Sequence, residues 1–553
     1  MNSLLKNWTS ILSKNSLLLV ASMLLPTLGV SNSVIAAKRV YVSYSALELS
    51  ISVASLEKYA NKGVVNPELA IYQQYLQPKQ FQELQKILRT PIKASPTVLA
   101  QFLYTPQGEF LLRRLAEVIQ PKSTQTKPGF SVLRTALIAA TAEPEGLTLL
   151  NLLRKYPTND IYINLTQSFA IAGELEKIIK ETHQAIAVVR EKSQIEATTI
   201  PHSVSVSQLP DLSHPGKIQS HKQTLKFFDS QRHRLLSTDI YLPQVQNSAP
   251  VIVISHGLGS DSSNFQYLAT HLASYGFAVV VPNHPGSNAQ KVRSLVNEQA
   301  NDVISAKEFY DQPLDVTFIL NQLETHHQLK TRLNLQQVGV FGQSLGGYTA
   351  LALAGAKINF EQLQKDCRLD LLHQTWNMSL LFQCQALTLQ NNPERNHTLQ
   401  DPRVKAAIAV NPITSSIFGK AGLNQIKTPV MIVSSSEDTI APALSEQILP
   451  FSWLTNSQKY LVMLVGGTHF TTIGNANPAS QQVALPQDVV GDAPQAQRYM
   501  NMLSLPFFQT YIAGKSGYTP YLSAAYAKII SHQSLGLSII QSLTTTEVTH
   551  LGD

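Results

Sequence analysis

After Thr224 the chain repeats one texture. A short run of β-branched and apolar residues ends in glycine, proline or a polar loop, and a helical pattern follows. "APVIVISHG", "GFAVVVPNHPG", "LQQVGVFGQS", "KTPVMIVSSSED" and "KYLVMLVGGTH" are such runs, and "VKAAIAVNP" is a further one. Between most of them lie segments such as "NFQYLATHLASY" and "PLDVTFILNQLET". Continuously apolar strands must be covered on both faces, and strands alternating with helices build a mostly parallel sheet. The pattern predicts a doubly wound α/β region, with reactive groups just past the C-terminal ends of the strands. "TLKFFD" and "STDIYLP" (224–243) are expected to open it as a hairpin.

Upstream, residues 38–197 carry no comparable strands and no cluster of catalytic groups. Several segments begin with a polar residue and proline: "NPELAIYQQYL" at Asn66, "SPTVLAQFL" at Ser95, "TPQGEFLLRRLAEVI" at Thr105 and, more weakly, "EPEGLTLLNLLRKY" at Glu143. Proline suits a first helical turn because its missing N–H had no partner there, and Asn66, Ser95 and Thr105 can cap the free amides. Leu103, Phe110, Leu111, Leu112 and Leu115 recur at helical spacing. The expectation is a small all-helical domain. The serine- and proline-rich stretch 203–223 keeps neither period and reads as a linker.

Residues 1–36 have another layout. Lys6 and Lys14 precede "SLLLVASMLLPTLGV", and small residues follow at Ala36 and Ala37. This is the layout of a secretory signal peptide; the alternative is an uncleaved anchor. Cleavage after Ala36 removes two lysines and no acid, taking the net charge from +7 to +5. The destination would be the periplasm or the extracellular space. Cys367 and Cys384 are the two cysteines; in an oxidising compartment an even count suggests a disulfide, and the alternative is two free buried thiols. No basic run interleaves with aromatics, so nucleic acid is not an expected partner.

Chemistry gathers at the strand ends. Ser344 sits in "VGVFGQSLGGYTALALAG", between a strand and a helical run. Gly342 and Gly346 allow the sharp turn that lifts a nucleophilic hydroxyl into the open. A serine needs a base. Of 15 histidines, His469 in "LVGGTHFTTIG" follows the last apolar strand and is flanked by small residues. The base needs an acid to fix its tautomer. "VMIVSSSEDTIAP" offers Glu437 and Asp438, and Asp438 is favoured, four residues before Pro442. The N–H groups of Leu345 and, in "SHGLGSD", Leu258 are the candidate oxyanion donors. His256, His284 and Gln343 are candidates for lining the pocket. There is no metal-ligand histidine pair at helical spacing and no phosphate loop, so neither metal nor organic cofactor is expected.

With these residues in place, 224–542 resembles the α/β-hydrolase superfamily. It is most similar to the platelet-activating-factor acetylhydrolase-like and dienelactone-hydrolase-like esterases, through "FFDSQRHRLLSTDIYLP", "SHGLGSDSSNFQYLATHLASYGFAVVVPNHPGS" and "GQSLGGYTAL". "RVYVSYSALELSISVASLEKYANKGVV" onward resembles a domain of uncharacterised function that precedes such hydrolases in exported bacterial, largely cyanobacterial, proteins. The resemblance implies a serine hydrolase acting on small-molecule or lipid esters. It also implies that the insertion 358–404, with both cysteines, caps the acyl pocket; the alternative is a decoration remote from it. A docking role at membrane or envelope is the expectation carried by the N-terminal domain. Lipase, phospholipase, polyester hydrolase and a silent binding protein are the competing readings.

Overall fold

The computed structural model describes residues 37–44, 47–74, 78–92, 99–100, 103, 106–122, 129–199, 206–296, 305–372, 375–391, 398–475 and 487–549. The expected signal peptide and the caps at Ser95 and Thr105 lie outside the described residues. The chain forms two compact units whose main break lies between Ile179 and Lys180, inside the 35-residue helix Leu165–Thr199.

The first unit corrects the all-helical expectation. Strands β1 (Arg39–Tyr44), β2 (Leu47–Ser52), β3 (Ile119–Pro121) and β4 (Asp160–Asn164) form a sheet in the order β2-β1-β4-β3. Strand β1 runs antiparallel to β2 and parallel to β4, where Val40 stands opposite Ile161. Both residues are buried and help seed the core, with Leu56, Leu103, Leu112, Leu133 and Tyr156. One helix starts where the sequence suggests: Asn66 accepts from the N–H of Leu69 ahead of Pro67. The start expected at Glu143 is displaced, since that helix is Leu149–Lys155 and Thr148 caps it. Capping fixes where each helix begins, because a side-chain oxygen satisfies an amide that the helix itself cannot.

The second unit is built on nine strands: β5 (Ser220–Asp229), β6 (Arg234–Pro243), β7 (Ala249–Ser255), β8 (Ala278–Asn283), β9 (Leu333–Gln343), β10 (Val404–Val410), β11 (Val430–Ser435), β12 (Lys459–Val465) and β13 (Gly536–Ile540). Their order is β13-β12-β11-β10-β9-β7-β8-β6-β5. The stretch β8-β7-β9-β10-β11-β12 is parallel; β13, β6 and β5 run antiparallel to their neighbours. Side chains alternate between two cores. Val251, Val253, Val338 and Val340 face the helices Glu308–Thr325 and Leu345–Leu353, while Ile252, Ile254, Phe341 and Val410 face Gln266–Ala273 and Ala493–Tyr511. Both faces of the parallel strands are therefore dry along their apolar runs, as those runs require, while β5 at the edge stays largely exposed. Strands β8 and β9 lie on opposite sides of β7, so the connections leave in opposite directions there and a crevice opens at the strand ends.

Two boundaries differ from the sequence reading. The hairpin is longer than 224–243, since β5 begins at Ser220. The stretch expected as a linker is largely packed: Leu212 is buried, the N–H of Gly216 donates to Ser274 Oγ (2.7 Å), and Pro210 accepts from the Tyr521 hydroxyl (3.1 Å). Strand β13 carries no glycine- or proline-bounded apolar run long enough to stand out. Among the described residues no helix is long and apolar enough to cross a membrane.

Candidate active site

Strand β9 delivers Ser344 to the crevice in a backbone conformation that non-glycine residues rarely adopt, φ 57° and ψ −117°. Such strain persists only where the surroundings over-determine it. Here the Ser344 N–H donates to the carbonyl of Val410 at the end of β10 (2.8 Å), and the Ser344 carbonyl accepts from Tyr348 one turn into the helix (3.0 Å). The flanking glycines are needed for space. A Cβ on Gly346 would stand 2.0 Å from the carbonyl oxygen of Ser255, and one on Gly342 would stand 1.9 Å from that of Gly346.

His469 and Asp438 come to this serine from the ends of β12 and β11. His469 Nε2 lies 2.9 Å from Ser344 Oγ, and Nδ1 lies 2.6 Å from Asp438 Oδ2. A carboxylate only accepts, so Nδ1 carries the ring proton and Nε2 is left to receive the serine's. The other Asp438 oxygen accepts the N–H groups of Ile440 (2.9 Å) and Ala441 (2.8 Å). Glu437 is exposed, and Asp438 is the acid that reaches the ring. All three groups are nearly dry; Ser344, the most open, is 7% exposed.

The loop after β7 approaches closely. A Cβ on Gly257 would lie 2.5 Å from Gln343 Oε1 and 3.0 Å from Ser344 Cβ, so only glycine lets this backbone sit against the turn. Leu258 follows, a residue 40% exposed. Leu345 is the first residue of its helix, so its N–H has no acceptor within that helix.

The three residues expected to line the pocket do something else. Gln343 is buried, and its Nε2 donates to the carbonyl of His469 (3.0 Å). His256 is fully buried. Its Nδ1–H donates to the carbonyl of Gly257 (2.8 Å), and its Nε2 accepts from the N–H of His284 (3.0 Å). Burial, aided by the neighbouring His284, pushes its pKa down to about 3. The neutral ring is the form that makes both bonds, so His256 buttresses the loop instead of rivalling His469. His284 is buried as well, between Ser255 Oγ (3.0 Å) and Asp315 Oδ2 (3.0 Å). Burial alone would raise the Asp315 carboxyl, but the hydrogen bond from His284 and the charge of Arg234 hold it below its usual range. Arg234 grips Asp315 with two bonds (2.9 and 2.8 Å) and also reaches Glu308 (2.8 Å).

Asn411 is the residue that sequence reasoning missed. At the end of β10, with φ 43°, it donates toward Ser435 Oγ (3.1 Å) and the carbonyls of Thr468 and His469 (3.3 Å each). Its place just after "VKAAIAV" is the one signal available, since strand ends carry functional groups in such sheets.

The insertion carries the disulfide Cys367–Cys384 and the short helices Phe360–Asp366, Leu369–Leu372 and Met378–Gln385. It fastens beside the acid: the Ser379 N–H donates to the carbonyl of Ile440 (2.9 Å), two residues past Asp438. Glu446, fully buried, accepts from Asn377 and Gln383 of the insertion and from the N–H groups of Thr414 and Ser415. Among the described residues no cluster of three or more His, Cys, Asp or Glu could hold a metal ion.

Comparison with known families places matches on both halves. Residues 36–164 match a family described as an alpha/beta hydrolase of unknown function (DUF1400), and residues 210–367 match chlorophyllase. The first match lies on the four-stranded unit, outside the nine-stranded sheet. The second spans β5 to β9, the Gly257 loop and Ser344, and ends before Asp438 and His469. No curated protein matches the chain. A nine-stranded, mostly parallel sheet, a serine on a strand–turn–helix elbow and two hydrolase-family matches give the chain an α/β-hydrolase fold and set it in the α/β-hydrolase superfamily.

Proposed function

We propose that this protein is an exported serine hydrolase that cleaves carboxylic esters, akin to the platelet-activating-factor acetylhydrolase-like and dienelactone-hydrolase-like esterases. The observation that carries the reading is the unbroken chain Ser344–His469–Asp438, at 2.9 and 2.6 Å. In this reading Ser344 Oγ attacks the ester carbonyl as His469 Nε2 takes its proton. The N–H groups of Leu345 and Leu258 receive the developing oxyanion. The tetrahedral intermediate collapses, and the alcohol leaves with the proton from His469. Water activated by the same nitrogen then releases the acid from Ser344. Asp438 holds the ring in the required tautomer throughout.

The match to chlorophyllase, an esterase-type family, supports an ester as the substrate. Export is supported by the signal-like residues 1–36 and by the Cys367–Cys384 bridge, which suits an oxidising compartment. The test is hydrolysis of p-nitrophenyl esters of increasing acyl length by the mature protein beside Ser344→Ala. Activity that survives the substitution would sink the mechanism, and the chain-length optimum separates an esterase from a lipase.

A further inference from the structure

Gln312 is fully buried on the helix Glu308–Thr325 and takes no part in the Ser344–His469–Asp438 chain. Its amide spans two segments that border the expected oxyanion site. Nε2 donates to Ser287 Oγ (2.8 Å), and Oε1 accepts from Thr349 Oγ1 (2.8 Å). Thr349 rides on the helix that begins at Leu345, and its hydroxyl also lies 3.0 Å from the Leu345 carbonyl, sharing one proton between the two acceptors. On the other side, the carbonyl of Ser287 accepts from the N–H of Gly259 (2.8 Å), and the N–H of Ala289 donates to the carbonyl of Ser260 (3.1 Å). The loop holding Leu258 is thereby stitched to the segment that Gln312 grips. One amide is braced against both backbones that would offer a donor to the oxyanion.

Two donors serve one oxygen only if both come within hydrogen-bond reach of the same point, and small misplacements are costly. Ser287, Gln312 and Thr349 are all fully buried, so no water competes for these bonds. We propose that Gln312 is a positioning residue that sets the spacing between the N–H groups of Leu258 and Leu345. The inference rests on the ester-hydrolase reading and adds to it the residue that gauges its oxyanion site.

The experiment compares wild type, Ser344→Ala, Gln312→Met, Ser287→Ala and the Ser287→Ala/Gln312→Met pair, with p-nitrophenyl acetate as substrate and a melting curve for each. Gln312→Met keeps the length and loses both bonds; Ser287→Ala removes one of them with a milder change. The expected result is a kcat lower by roughly tenfold to a hundredfold, with KM within about twofold. The pH midpoint of kcat/KM should stay in place, because His469 and Asp438 keep their partners. The pair should lose no more than the worse single variant, since Ser287→Ala removes a bond that Gln312→Met has already lost. A folded Ser287→Ala with kcat within about twofold of wild type, a loss falling on KM, a moved pH midpoint or fully additive losses would overturn the proposal. If Gln312→Met does not fold, Ser287→Ala decides by the same criteria. Wild type that cleaves no ester overturns the hydrolase reading and this inference together. Active wild type, a dead Ser344→Ala and a normal Ser287→Ala overturn this inference alone.

Discussion

Gln343 and Asn411 converge on a single atom, the carbonyl oxygen of His469, at 3.0 and 3.3 Å. They come from the ends of two adjacent strands, so the base loop is held by the sheet itself. Replacing Gln343 with leucine keeps the volume and deletes one donor. We expect kcat to fall roughly fivefold to tenfold, the worth of one neutral hydrogen bond. Asn411→Ala should act in the same direction, measured by steady-state kinetics of both variants. Unchanged kcat in both would show that the loop holds its place without them.

Asp438 and Glu437 are neighbours with opposite exposure. Asp438→Asn keeps the shape but no longer obliges His469 to carry its proton on Nδ1. Activity should fall by roughly a thousandfold or more, while Glu437→Gln stays near wild type. Parallel steady-state assays of the two variants check this. Comparable losses in both would mean that the acid was wrongly assigned.

Gly257 has no room for a methyl group. In Gly257→Ala the new carbon meets Gln343 Oε1 at 2.5 Å and its carbonyl at 2.9 Å, so the loop must retreat. The retreat carries the Leu258 N–H away from the serine. We expect a loss of about a hundredfold in kcat with the melting temperature little changed, from paired activity and calorimetric measurements.

Burial pushes the His271 pKa down to about 4. Above pH 6.5 the ring is neutral in the folded and the unfolded chain, and it adds no slope. As pH falls from about 6.5 towards 4 the unfolded chain takes up a proton that the folded one refuses, so stability is lost. The loss is of order 3 kcal/mol over that window. His271→Phe should flatten the acid side of the stability curve by about one proton, measured by urea unfolding at pH 7, 6 and 5. An unchanged slope would place the titration elsewhere.

The bridge Cys367–Cys384 closes a span of 17 residues. Cys367→Ser/Cys384→Ser should destabilise the insertion by about 3 kcal/mol on the loop-entropy estimate. Because Ser379 bonds the carbonyl of Ile440, amide exchange should quicken at Ile440 and Ala441 as well as within the insertion. Exchange confined to 358–404 would show that the insertion and the acid loop move independently.

What the sequence displayed was what repeats. Strands β7, β8, β9, β10, β11 and β12 are dry on both faces and therefore read as unbroken apolar runs. Ser344, Asp438 and His469 each stand one loop beyond such a run. The first unit left a local trace of its strands: "LELSIS" alternates apolar and polar residues over six positions, the period of a half-buried strand. What no local period announces is the parallel pairing of β1 with β4, some 120 positions later in the chain. His256 and His284 were misread because residue type does not reveal burial; a histidine beside a crevice looks the same whether it faces substrate or the back of a loop. Gln343 and Asn411 gain meaning only when separate strand ends meet.

Glu446 has a bearing on how this chain can be shortened. Its carboxyl is shared between the insertion, through Asn377 and Gln383, and the main body, through Thr414 and Ser415. Trimming 358–404 down to a tight turn would strip the insertion's amides from a fully buried group and leave that carboxyl short of donors. A minimal version of this chain therefore calls for two edits made together, the excision and a neutral acceptor such as glutamine at Glu446, which sheds the charge and still takes the N–H groups of Thr414 and Ser415. Any natural relative that lacks the insertion should show the same paired change.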